Sequence, residues 1–121
     1  MRKVLEVVGL WERICLLPEG MSTVLSLSGF PLSPEESHRL MIARALLMRP
    51  RLLILQGILD LVDWKLHGPL AHFLLSEHPG MTLVVLTNRS ELLQGFQHAF
   101  ALNPAGELEQ ISAPFSGAKH D

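Results

Sequence analysis

Ser33-Pro34-Glu35-Glu36 sets a hydroxyl beside two carboxylates. A serine there is a nucleophile only if a base activates it. The pattern instead completes a capping box: Ser33 at the N-cap, Pro34 at the first helical position and Glu36 at the third. Ser33 therefore reads as a cap. His67 and His72 stand five residues apart and do not share a helix face, whereas helical zinc ligands are usually four apart. The histidines read as scattered surface residues, and no metal site is expected. Arg39, Arg44 and Arg49 recur every five residues, so they drift around a helix and make no phosphate-binding stripe. Cys15 is the one cysteine and cannot form an internal disulfide. Its neighbours Ile14, Leu16 and Leu17 predict a buried, inert thiol. The lysines are Lys3, Lys65 and Lys119, and none follows a glycine. Hence these residues hold no G-x-x-x-x-G-K-[ST] loop, whose backbone N–H groups would cradle phosphates.

The elements that must carry these groups follow from periodicity and punctuation. Val4, Val7, Val8, Trp11 and Ile14 or Cys15 fall at helical spacing, which predicts one amphipathic helix over Lys3–Leu17, weakened at Gly9 and ended by Pro18-Glu19-Gly20. Thr23 to Pro34 reads as a loop with a short extended piece at Val24–Leu27. The capped helix after Ser33 is apolar around most of its circumference, which predicts packing on more than one side. Pro50 stops it. Arg51–Leu55 and Thr82–Thr87 read as strands buried on both faces, as in parallel sheets. Between them, Trp64–His78 reads as a helix with Leu66, Leu70, Phe73, Leu74 and Glu77 on one face. Ser90 caps a short helix to about Phe96. His98–Leu102 and Glu107–Ile111 form a hairpin around Asn103-Pro104-Ala105-Gly106. Trp11 and Trp64 read as packing residues. Alternating strands and helices predict an α/β layer structure.

Composition narrows the function. The 121 residues are 48% hydrophobic and 18% charged, too apolar for disorder. Ten basic against twelve acidic side chains leave no basic excess for nucleic acid. The longest stretches without Asp, Glu, Lys or Arg are 15 residues, Gly20–Pro34 and Leu92–Gly106, and both contain Gly and Pro. A membrane span needs ~20 apolar residues. Only two apolar residues, Val4 and Leu5, separate Lys3 from a break at Glu6 after Met1-Arg2-Lys3, short of the ~7 of a secretory core, so a cytoplasmic protein is expected.

Several pieces follow one another in a telling order. They are Leu17-Pro18-Glu19-Gly20 with Thr23, Leu32-Ser33, Ala43-Arg44-Ala45-Leu46-Leu47 with Pro50, Leu52–Leu55, Asp63, Thr82–Thr87 and Phe100–Glu109. From about Val4 to Ile111 this resembles the C-terminal half of an exporter-type ATP-binding cassette (ABC) ATPase domain. The resemblance implies a truncated P-loop NTPase-like parallel sheet with flanking helices and a C-terminal β-hairpin. It makes residues 1–50 a partial helical (signature) subdomain, 51–112 a partial RecA-like α/β core and 113–121 a flexible tail. The nucleotide-facing positions it implies are Ser33, Pro34, Glu35, Glu36, Gln56, Asp63 and Asn88. Asp63 stands where the family makes contacts across a dimer; it also stands where a helix N-cap before Trp64 would be.

The departures bear on activity. The family signature Leu-Ser-Gly-Gly-Gln is here Leu32-Ser33-Pro34-Glu35-Glu36. Pro34 removes an N–H donor, and each carboxylate ~4 Å from a phosphate charge would cost ~1 kcal/mol in water and ~4 at an effective dielectric of about 20. The family's Mg²⁺-holding aspartate and water-polarising glutamate correspond to Gln56 and Gly57, and its switch histidine to Asn88. No catalytic group is intact at these positions, so the chain is not expected to be an enzyme by itself. No cofactor is expected for the chain alone, although the family ligand is ATP with Mg²⁺. The expected function is that of a degenerate ABC cassette subunit or half-domain that does not hydrolyse ATP. It would act through contacts with an ABC transporter subunit or with itself, reaching a membrane only through a permease partner. The alternatives are the C-terminal half of a split ATPase completed by another chain, or a repurposed small α/β binding module. In the family sheet the strand carrying the phosphate loop lies beside Thr82–Thr87. Without it that edge is closed by the hairpin, by a second copy or by another protein.

Overall fold

The structure is a computed structural model. It describes residues 1–62, 67–77, 80–93 and 96–112. The chain divides into two compact units, Met1–Leu86 and Thr87–Asp121.

In the first unit, helices α1 (Arg2–Val7) and α2 (Trp11–Cys15) replace the single helix expected over Lys3–Leu17. The break falls at Gly9, whose φ of 72° is in the left-handed region, a conformation open to glycine at little cost. The break turns Leu10 inward, where it is fully buried, together with Val4, Leu5, Val8, Ile14 and Leu17. A continuous helix would have carried Leu10 away from the Val4–Val8 stripe. Cys15 lies on the opposite side of α2 and is exposed, so the buried thiol expected from its neighbours is corrected. Trp11 is half-buried, with the Arg2 guanidinium 4.9 Å from its ring centre.

A tight turn at Gly20–Ser22 leads into a loop with no strand at Val24–Leu27. Instead, backbone bonds from Ser26 N to Phe30 O (3.0 Å), Gly29 N to Ser26 O (2.9 Å) and Leu32 N to Gly29 O (2.9 Å) fold it on itself. Helix α3 (Pro34–Leu47) buries Ile42, Ala43 and Leu46 along one stripe. Met41 and Met48 are exposed. The expectation that α3 packs on more than one side is thus corrected.

Strand β1 (Leu52–Gln56) pairs in parallel with β2 (Thr82–Leu86), in register from Leu52 opposite Thr82 to Gln56 opposite Leu86. Parallel neighbours need a crossover. It runs through the turn Ile58–Leu61 and helix α4 (His67–Ser76), which buries Leu70, Phe73 and Leu74 as its spacing required. Lys3 ties α1 to this region through Glu77, at 2.6 Å. The sheet departs from expectation. Leu53 and Leu55 are buried, but Leu52 and Ile54 on the other face are 54% and 56% exposed. On the same face of β2, Val84, opposite Ile54, and Leu86, opposite Gln56, are 41% and 46% exposed. β1 thus has one buried face, and β2 one half-buried face at Leu83 and Val85, where burial on both faces was expected.

In the second unit, a 3-10 helix at Ser90–Leu93 begins the short helix expected after Ser90, whose continuation at 94–95 lies outside the described residues. Strands β3 (Ala99–Leu102) and β4 (Leu108–Ile111) form the expected hairpin. Asn103 closes its turn, with Asn103 N donating to Glu107 O at 2.9 Å and Gly106 N to Asn103 O at 2.9 Å. The hairpin is a two-stranded sheet of its own.

Candidate functional site

The best-organised polar cluster in the first unit is the start of α3. Glu36 N donates to Ser33 Oγ at 3.1 Å, and Ser33 N donates to Glu36 Oε1 at 2.8 Å. This is the reciprocal capping box that the sequence predicts. The second oxygen of Glu36 is also taken: Arg13 Nε donates to Oε2 at 3.0 Å, and the same guanidinium donates to Pro31 O at 3.1 Å. Arg13 therefore fastens α2 to the loop and to the helix start together. Glu35 is held by Arg39 one turn along, in an i,i+4 ion pair. Burial is the largest single influence on the Glu36 carboxyl and raises its pKa. The Ser33 N–H and hydroxyl and the nearby Arg13 charge outweigh that, and the carboxyl sits below its ordinary value.

The approach of the loop to α3 depends on one glycine. Gly29 has a φ of +92°, and a Cβ there would lie 2.3 Å from Ser37 Oγ. Neither Arg13 nor Gly29 was singled out from the sequence. Arg13 is 23 residues from Glu36, and no local spacing rule reaches so far. The isolated Gly29 before Phe30-Pro31 was a signal that could have been followed.

This helix start has little capacity left for an anion. Pro34 has no N–H, and the N–H groups of Ser33 and Glu36 are spent on each other's side chains. Glu35 and Glu36 supply the negative charge that a helix N-terminus attracts.

Gln56 ends β1 and is exposed. Gly57 follows with a φ of 67°, its N–H donating to Leu86 O at 2.9 Å. Neither offers a carboxylate for a metal or a water. Asn88 lies in the second unit, exposed, in the turn between β2 and Ser90–Leu93, where Arg89 N donates to Thr87 Oγ1 at 3.0 Å. Asp63 lies outside the described residues. The structure thus gathers Ser33, Pro34, Glu35 and Glu36 at one helix start and places Gln56 and Gly57 at a strand end. Among the described residues, no group of His, Cys, Asp and Glu could hold a metal ion. No described helix is long and apolar enough to cross a membrane.

No protein-family model matches the chain. Individual proteins do. Multidrug resistance protein sirA of Leptosphaeria maculans is 30% identical over 100 residues, or 83% of this chain and 8% of that protein. The cyclolysin secretion/processing ATP-binding protein CyaB of Bordetella pertussis is 35% identical over 83 residues, 69% of this chain and 12% of its own length. The probable multidrug resistance ABC transporter ATP-binding/permease protein YheI of Bacillus subtilis is 34% identical over 84 residues, covering 69% of this chain and 14% of YheI. Over 69–83% of its length the chain is homologous to ABC transporter ATP-binding/permease proteins.

A solved structure carries the same fold. The ATP-bound structure of a bacterial Atm1-family ABC exporter superposes with a TM-score of 0.79 at 22% identity, over 90% of this chain and 19% of the exporter. The chain spans about a tenth of the length of these ABC relatives, from 8% to 14%. A partial, C-terminal ABC segment fits matches that cover most of this chain and so little of each relative.

Proposed function

We propose that this chain is a degenerate ABC ATP-binding segment that does not hydrolyse ATP and acts through protein contacts, with an ABC transporter partner or with itself. The observation that carries the reading is the start of α3, where Pro34, Glu35 and Glu36 occupy the signature position and satisfy the helix terminus from within. Gln56 and Gly57, at the positions of the metal-holding aspartate and catalytic glutamate, support it. Asn88 at the switch position supports it too, since a carboxamide carries no proton. Phosphoryl transfer relies on positioning, metal and charge, and the residues present do not fit an ATP–Mg²⁺ complex.

In this reading residues 1–50 descend from the helical subdomain and 51–112 from the RecA-like core of a P-loop NTPase. The protein is cytoplasmic and reaches a membrane only through a permease partner. The nucleotide-facing positions Ser33, Pro34, Glu35, Glu36, Gln56, Asp63 and Asn88 have passed from binding to structure or to partner contact. The uncovered apolar face of β1–β2 supports a role in association.

Titration of the chain with ATP and Mg²⁺ in a calorimeter should give no isotherm. A saturable micromolar isotherm would overturn the reading. Affinity capture from the native host should return an ABC permease or a P-loop subunit at near-stoichiometric yield, or the chain itself.

A further inference from the structure

The first unit contains a cavity that the proposed function does not use. It is half open to solvent, bounded by α1, α2, the Gly20–Ser22 turn, the loop beyond it and one side of α3, and has a volume of about 170 Å³. Its walls include Leu5, Ile14 and Leu17, and a stripe of α3 made of Leu40, Arg44 and Leu47. These last three fall at i, i+4 and i+7, so Arg44 sits among apolar neighbours on one helix face.

Arg44 differs from Arg2, Arg13 and Arg39. Arg2 holds Glu6, Arg13 holds Glu36 and Arg39 holds Glu35. Arg44 has Leu40 one turn before it and Met48 one turn after it, and it makes no ion pair or hydrogen bond among the described residues. An apolar pocket gains free energy when hydrocarbon surface leaves water to line it. A guanidinium in such a wall adds preference for an anionic head, because it presents a fork of donors to a carboxylate.

We propose that this cavity binds a small anionic amphiphile, a medium-chain carboxylate, with its tail among Leu5, Ile14, Leu17, Leu40 and Leu47 and its head on Arg44. The proposal is independent of the nucleotide reading, since no wall residue stands at a nucleotide-facing position.

The test is a titration of the full chain with octanoate, octanol and octylammonium, followed by calorimetry and by amide NMR shifts. Octanoate is expected to bind saturably and to shift amides of α2 and α3 around Ile14, Leu40 and Leu47. Octanol should bind about tenfold more weakly, and octylammonium not measurably. Arg44→Gln, a change at an exposed position, should reduce octanoate affinity about tenfold and leave octanol unchanged. Leu47→Trp, at the half-exposed rim, should block both ligands while circular dichroism and melting remain those of the parent. Absence of saturable octanoate binding overturns the proposal. So does equal binding of all three compounds with Arg44→Gln silent, which would make the cavity a non-selective apolar void.

Discussion

The start of α3 and the β1–β2 sheet sit in the same unit and meet opposite fates. At the helix start the side chains of Ser33, Glu35 and Glu36 all have partners, supplied by one another, by Arg39 and by the distant Arg13. At the sheet, Leu52, Ile54, Val84 and Leu86 leave one apolar face open, and β2 has β1 as its one strand neighbour among the described residues. A helix cap is a contract among residues three or four apart and can be completed inside any segment that contains them. A sheet face needs a second layer, which the described residues of the first unit do not provide. The chain is finished where its requirements are local and unfinished where they are not.

The largest effect that sharpens this contrast comes from two core-type substitutions. Leu46→Ala, on the buried stripe of α3, should cost about 2–5 kcal/mol in denaturant unfolding. Ile54→Thr, on the open face, should stay within about 0.5 kcal/mol. If Ile54→Thr proved as costly as Leu46→Ala, the face would be covered in solution, and sedimentation of the two variants would tell whether a second copy covers it.

A smaller effect isolates the cap. Ser33→Ala removes the acceptor for Glu36 N and should destabilise by about 1 kcal/mol. A change near zero would mean that α3 is held by its packing alone.

The smallest effect concerns charge and pH. Glu36→Gln keeps an acceptor for Ser33 N but loses the Arg13 ion pair, whose side chains are 39% and 21% exposed, so the cost at neutral pH should be under about 1 kcal/mol. The Glu36 carboxyl is held below its ordinary value in the folded protein. Its contribution is therefore fully present above the unfolded value of about 4.3. It is lost as pH falls through the lower folded value. The stability gap between parent and Glu36→Gln should be constant at neutral pH and close in acid. A gap of the same size at every pH would rule out the Arg13–Glu36 pair as its source.

The sequence carried much of this in advance. Ser33, Pro34 and Glu36 marked the helix start correctly, Leu70, Phe73 and Leu74 marked the buried side of α4, and Asn103 to Gly106 marked the hairpin turn. The order of these pieces also marked the family. The errors share a cause. Arg51–Leu55 and Thr82–Thr87 are apolar enough to be buried twice, and α3 is apolar almost all round. Apolar side chains state what a segment tolerates; whether a neighbour arrives is decided elsewhere. Lys3–Leu17 looked continuous because its apolar spacing survives across Gly9, yet burying Leu10 required the break.

Capping, turn chemistry and helical periodicity act over a few residues, so residue order alone determined α3, α4, the β3–β4 turn and the residues at positions 33–36, 56, 57 and 88. The union of Arg13 with Glu36, the approach of Gly29 to Ser37, the exposure of Cys15 and the cavity beside Arg44 depend on segments remote in sequence meeting in space. Tertiary packing alone decided those, because contact energy falls away within a few ångströms and carries no mark of sequence distance.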